Sequence, residues 1–302
     1  MMVSPRLFVF LACLSFLASG GALHAQTPLK YQFKKGEVLK YVMVVGQKGT
    51  TKAKDMESTL MQTQTIDLSW HVQSVDDKGA AKIRVTFDRA KLSVSNGKDN
   101  FEGVSDVKED PESEPAKSMT TLAKTLAKVE ATFTMSPQGD ISDVSIPASV
   151  IKEIKAIGGE KAADGWTEDN LKATLRDNTL ALPKEPAGKG LTWKRSIQLK
   201  SPYGPITGSL EYAWDGVVMR DGVKVTRLAV NPKLKLEPDP NAKPPVTIKS
   251  YDVEGTALFD NNAGRIFEIS VSQKIEAQAE VGGMTVTDRR EMTNSFKFVS
   301  AK

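Results

Sequence analysis

Long runs in which apolar and polar residues alternate constrain this chain more than any other feature. Ile66, Leu68, Trp70 and Val72 alternate with Asp67, Ser69, His71 and Gln73, and Ile83, Val85 and Phe87 alternate with Arg84 and Thr86. Near the other end Phe267, Ile269, Val271, Ile275, Ala277 and Ala279 share one parity, as do Met284, Val286, Met292, Phe296 and Phe298. Side chains of a strand point to opposite faces with period two, so each run predicts a strand with one buried and one wet face. That pattern belongs to antiparallel sheets, with turn clusters between the strands. The parity slips between Phe87 and the Ala90, Leu92, Val94 series, which predicts a bulge near Asp88-Arg89.

The chain also repeats itself. Gly36, Leu39 and Tyr41 recur as Gly188, Leu191 and Trp193, and Leu68, Trp70 and Val72 as Leu210, Tyr212 and Trp214. The turn at Asp77-Lys78-Gly79 before Lys82-Ile83 recurs as Asp221-Gly222 before Lys224-Val225. Val129 to Ile146, through Met135, Gly139 and Ile141, matches Val253 to Val271, through Phe259, Gly264 and Ile266. Four anchors in one order predict two pseudo-repeats, about 29–146 and 186–300, within one β-rich domain of residues 26–302. Hairpins in general reuse such turns, so chance likeness is the competing explanation.

Each copy reads as three strands, a variable insert and two strands. The first insert is acidic, with Glu102, Asp106, Glu109, Asp110, Glu112 and Glu114; the second, 232–245, is proline-rich. Both are expected to be exposed loops. About three helices are expected around a joining segment at 147–183. Met119, Leu122, Ala123 and Leu126 share a face; Pro147 opens a second helix bearing Val150, Ile151, Ile154 and Ile157; Thr167 caps a third that ends at Pro183. Apolar helices beside a one-faced sheet pack on its dry side. The expected fold is mainly β (α+β): a large curved antiparallel sheet or open half-barrel, with the helices on its concave face.

Residues 1–25 carry the three parts of a secretory signal: Arg6, the apolar run 7–17, and small residues up to Ala25. The run falls short of the roughly 20 residues that span a bilayer, and no later segment is apolar enough to do so. Export to the periplasm or beyond the cell is the expectation. Cys13 and His24 lie in this leader, so the remainder has no cysteine and one histidine, His71. Zinc and other transition-metal sites draw on Cys and His, so no metal or other cofactor is expected. The acidic insert lacks calcium-loop spacing. A net charge of +4 from 41 basic and 37 acidic residues shows no basic bias for nucleic acid. His71 falls on the polar parity of its strand, and neither a G-x-S-x-G elbow nor a phosphate loop is present. No catalytic residue is assigned, and an enzyme is not expected.

A cavity between sheet and helices is the remaining candidate site. Its lining is expected from Trp70, Leu122, Leu126 and Ile154, with Asp288 and Arg290 to orient a polar head, since both share the parity of Phe296 and Phe298. A mutual Asp288–Arg290 pair is the plainer alternative.

The stretches Leu29-Lys30-Tyr31-Gln32-Phe33-Lys34-Lys35-Gly36-Glu37, Gln64-Thr65-Ile66-Asp67-Leu68-Ser69-Trp70 and Met135-Ser136-Pro137-Gln138-Gly139-Asp140-Ile141 resemble secreted proteins of unknown function common in planctomycete bacteria. The resemblance spans essentially residues 26–302 and implies bacterial origin and export, but brings no activity or site residues. The architecture alone is similar to periplasmic lipoprotein and lipid carriers, open β half-barrels with helices over a greasy concavity. Two readings stay open: a binding or carrier protein for a lipid or other apolar small molecule, and a structural or assembly component working through an envelope protein partner.

Overall fold

Where the sequence alternates, the chain forms strands. The computed structural model describes residues 28–302 apart from 153–155, 157–174, 176–178, 187, 202–203 and 239–243. The strands are β1 (Val38–Ala53), β2 (Met56–Val75), β3 (Ala81–Ser95), β4 (Asn100–Val104), β5 (Glu130–Met135) and β6 (Ile141–Ser145), then β7 (Thr192–Ser201), β8 (Gly204–Arg220), β9 (Val223–Leu236), β10 (Val246–Asp260), β11 (Arg265–Val281) and β12 (Met284–Ala301). They form one open 12-stranded sheet in the order β6-β5-β3-β2-β1-β12-β11-β10-β9-β8-β7, with β4 pairing off β3. Every pairing is antiparallel.

The four repeated anchors fall on β1 and β7, β2 and β8, β3 and β9, and the β5–β6 and β10–β11 hairpins. Met135 pairs with Ile141 beside one hairpin turn, and Phe259 with Ile266 beside the other. Registers differ by two residues elsewhere: Tyr41 pairs with Leu68, whereas Trp193 pairs with Tyr212. β12 has no counterpart and joins the two meanders by pairing with both β1 and β11.

The bulge stands where the parity slip puts it. Asp67 pairs with Arg89 and Leu68 with Phe87, leaving Asp88 as the extra residue. Phe87 below the bulge and Ala90 and Leu92 above it therefore all reach the apolar core.

The inserts correct the expectation of plain loops. Glu102 lies in β4, and Pro232 lies in β9. Pro232 is tolerated because β9 pairs with β10 only through Thr226–Val230, so beyond that point one side of β9 faces no partner. There Ile206, Leu234 and Leu236 pack with Ile248, Ile275 and Ala277 into a second, smaller core.

The helices also differ from expectation. Among the described residues two helical stretches stand, α1 (Glu114–Leu126) and α2 (148–152), not about three. The helix expected from Thr167 lies mostly outside the described residues. α1 starts earlier than its apolar pattern because Glu114 and Pro115 suit a first turn. Its buried positions are Ala116, Thr120, Ala123, Thr125 and Leu126, laid against β3 and β4. Gly103 of β4 permits this approach: a Cβ there would collide with the backbone of Met119 and Thr120.

One end of the sheet is drawn tightly together. The Tyr31 N–H donates to Pro137 O (2.8 Å) in the β5–β6 turn, and the Gln32 N–H to Gly264 O (2.9 Å) in the β10–β11 turn. Five strand spacings separate β5 from β11, about 24 Å if the sheet were flat. Adjacent residues lie only ~3.8 Å apart, so the two turns come within about 10 Å and the sheet must be curled at this end. Tyr31 stacks on Phe33 (5.9 Å) and meets Phe259 edge-on (5.4 Å). Its hydroxyl donates to Leu180 O (3.1 Å). Burial pushes the Tyr31 phenol well above its ordinary pKa, with Tyr41 adding to the shift and Arg195 opposing it.

The wet surface carries ion pairs. Lys124 holds Asp110 (2.7 Å), Lys194 holds Glu211 (2.6 Å) and Lys297 holds Asp221 (3.0 Å). The hydrogen bond from each lysine lowers the pKa of its carboxylate. A carboxylate whose folded pKa is depressed stabilises the fold above its unfolded value and loses that contribution as pH falls through the folded one. The urea midpoint should therefore hold steady from pH 7 to about 5 and drop below about 4. Asp221→Asn should show a smaller acid drop than the wild type; equal drops would remove Asp221 from the account.

Candidate functional site

The curl encloses a cavity of about 270 Å³ on the inner face. β1 supplies Met43, β2 supplies Gln64, Ile66, Leu68 and Trp70, and β12 supplies Phe296. Val85 and Phe87 come from β3 and Ala131 from β5. Leu126 at the end of α1, with Val129, Ile146, Leu175 and Thr179, closes the other side. The inward residues of β2 are the even-numbered ones, as its alternation requires. Among the described residues Gln64 and Thr179 are the polar members of the lining, and none of the described lining residues is charged.

Aromatic contacts hold the floor. Phe296 stacks on Tyr41 (4.5 Å, 17°) and lies 5.9 Å from Trp70, which in turn meets Phe133 edge-on (5.8 Å). Burial pushes the Tyr41 phenol far up; Arg265 works against this and Glu37 adds to it. Both phenols stay neutral at any physiological pH and bring no charge to the cavity.

The segment 179–182 is gripped by three side chains, two from β7 and one from the stretch before β1. Arg195 Nη1 donates to Thr179 O (2.8 Å), the Tyr31 hydroxyl to Leu180 O, and Trp193 Nε1 to Ala181 O (2.8 Å). The Leu182 N–H adds a bond to Gln138 O (2.9 Å). Successive carbonyls taken by distant side chains fix the segment as firmly as a strand pairing would.

Of the residues expected from sequence, Trp70 and Leu126 line the cavity. Leu122 does not: it is 39% exposed. The close approach at Gly103 sets the roll of α1, putting Thr120 and Ala123 inward and Leu122 about 100° round from Ala123. Ile154 lies outside the described residues. Asp288 and Arg290 are not at the cavity. Arg290 sits six residues before Phe296, about 20 Å along the strand at ~3.4 Å a residue. Asp288 pairs across with Ala277 and Arg290 with Ile275, both of the second core, and Arg290 Nε donates to Asp288 Oδ2 (3.1 Å). Parity identified their face correctly but said nothing of their position along the strand.

Met43, Phe87, Phe296 and Thr179 were not singled out by sequence. Phe296 and Phe87 carried a signal in their parity. Thr179 carried none, because its place depends on the clamps around 179–182.

On the outer face His71, the one histidine among the described residues, belongs to a polar ladder beside the bulge. His71 Nε2 meets Thr86 Oγ1 (3.2 Å), Thr86 Oγ1 donates to Asp88 Oδ1 (2.9 Å), and Ser69 Oγ donates to Asp88 Oδ2 (2.5 Å). The imidazole thus reaches Thr86, while the Ser69 hydroxyl is directed to Asp88. Among the described residues no three His, Cys, Asp or Glu gather as a metal site, and no helix is long and apolar enough to cross a membrane.

A family model described as "Family of unknown function (DUF6263)" matches residues 78–218. That span runs from β3 into β8 and contains the cavity residues from Val85 to Thr179 but not Met43, Trp70 or Phe296. No curated protein matches the chain. Among solved structures, one described as "Lipid-protein interactions in lipovitellin" is similar over 90% of this chain, with 11% identity and a TM-score of 0.46. This chain spans only 26% of that one. A DUF1329 family protein from Desulfovibrio piger is similar over 89% of this chain and 86% of its own, with 10% identity and a TM-score of 0.22.

Proposed function

We propose that this is an exported, non-enzymatic binding or carrier protein of a bacterial envelope, built by duplication of one sheet unit, that holds an apolar ligand between sheet and helices. The observation that carries the proposal is the cavity under Leu126, Leu175 and Thr179, whose described lining residues are all uncharged. Its volume of about 270 Å³ lies at the lower edge of small-molecule sites, about 300–1,000 Å³. A well-packed interior keeps few voids larger than a water, so an apolar space of this size is a departure that a ligand explains. Among the described lining residues only Gln64 and Thr179 can hydrogen-bond, so a charged head is expected to stay at the mouth. The leader pattern of residues 1–25 supports export.

The test uses residues 26–302 purified without detergent, with native and denatured masses compared and the sample extracted with solvent. A stoichiometric lipid is expected, and the emptied protein should bind one N-phenyl-1-naphthylamine. Ala131→Phe, which puts a phenyl ring into the cavity, should weaken that binding at least tenfold while thermal unfolding shifts little. Equal binding by wild type and variant would sink the assignment of the cavity.

One observation favours the alternative, a structural or assembly role. The far ends of the long hairpins expose Met56 (71%) and Leu60 (41%) on the inner parity of β2. Apolar residues left uncovered in this way serve protein interfaces. Met56→Lys with Leu60→Lys should abolish a specific complex recovered from the envelope and leave naphthylamine binding intact if that role holds.

A further inference from the structure

The cavity has a neighbour. A second chamber of about 70 Å³ lies against it, lined by Leu210, Tyr212, Val230, Ala257 and Ile269 among others. The two share three residues, Met43, Thr179 and Phe296, which form the wall between them. Two of the three are fixed. Phe296 is stacked against Tyr41 and Trp70. Thr179 donates its N–H to Leu175 O (3.0 Å) and accepts from Arg195 at its carbonyl. Met43 lies between them on the sheet, flanked by Ile66 and Phe296 across its two pairings. Its side chain is unbranched, with three rotatable bonds, and it is the soft part of the wall.

We propose that the ligand is a single unbranched apolar chain and that Met43 is the stop that sets its length. This rests on the reading of the first chamber as the binding site. The chain lies along Trp70, Leu68 and Ile66 and ends against the Met43 side chain, which the β1–β2 pairing sets opposite Ile66. None of the described residues lining either chamber is charged, which suits a ligand whose part at the wall is hydrocarbon. A methylene takes up about the volume of one water, ~30 Å³, so the first chamber holds roughly nine. Removing the Met43 side chain joins the chambers and adds room for about four more, two from the second chamber and about two from the missing atoms.

The experiment measures binding of a series of straight-chain primary alcohols, hexanol to hexadecanol, by displacement of N-phenyl-1-naphthylamine. For the wild type, affinity should rise about fourfold with each methylene that is buried and then level off. Met43→Ala should move the levelling point about four carbons longer, and Met43→Leu should leave it in place. Met43→Val, which keeps a good strand former, should move it in the same direction by less, and stands in if the alanine variant folds poorly. If alcohols bind but the levelling point is the same in all variants, Met43 is not the stop and the binding reading stands. If no alcohol binds the wild type, the binding reading fails and the stop fails with it.

Discussion

Tyr31→Ala should cost about 3–5 kcal/mol of stability, the range for emptying a buried aromatic site. Few other single changes reach so many elements. Tyr31 contacts Phe33 and Phe259, donates to Leu180, and carries the N–H that holds the β5–β6 turn, next to the residue that holds the β10–β11 turn. In a chain of this size that loss lowers the melting temperature by roughly 10 °C. A merely local cavity would leave distant amides protected. Here hydrogen exchange should speed up in both turns, 136–140 and 261–264, because one crosspiece secures both. Tyr31→Phe separates the parts: it keeps the packing and should lose only about 1–3 kcal/mol, the cost of leaving the buried Leu180 carbonyl unpaired. If Tyr31→Ala melts like the wild type, or only one turn loosens, the curl is held by something else.

The second large effect is expected at Gly103. A valine there cannot be seated without moving α1, because the atoms in its way are backbone of Met119 and Thr120, not a side chain that could turn aside. Overpacking of this kind costs about 1–3 kcal/mol, and more when a helix must lift. The helix carries Leu126, so the lid of the cavity moves with it. Gly103→Val should therefore lose naphthylamine binding as well as stability. Gly97→Val is the control for stability alone, since Gly97 sits at positive φ with open space around it and well away from the lid. A Gly103→Val protein that binds the probe normally would show that α1 does not form the lid.

Much of this fold is written in period two. The parity of β2, β3, β11 and β12 assigns the inner face, and the slip after Phe87 locates the bulge to the Asp88-Arg89 pair, of which Asp88 is the extra residue. Sequence cannot give distance along a strand, which is why Asp288 and Arg290 were placed at a cavity some 20 Å away. Nor can it give the roll of a helix whose contact is set by another element. Leu122 looked like a core residue beside Leu126, yet the approach at Gly103 gave the buried places to Thr120 and Thr125. Glu102 and Pro232 looked like loop residues because charge and proline usually mark loops. They sit in strands whose open sides tolerate them. The wall at Met43 was the least legible feature of all. It exists because β1 pairs with β12, bringing Met43 beside Phe296, and nothing local to either residue announces a partner some 250 positions away.

That last pairing bears on when the molecule can take shape. β12 is made after every other strand described, yet it stands in the middle of the sheet, between β1 and β11. Val38 and Lys302 exchange both backbone hydrogen bonds there, at 3.0 Å. Until residues 284–301 have emerged, the two meanders have no common seam, and β1 and β11 each present a bare edge. Pairings this remote in sequence are slow to form. The cavity, whose floor includes Phe296 of β12, therefore cannot be complete before this last strand has taken its place.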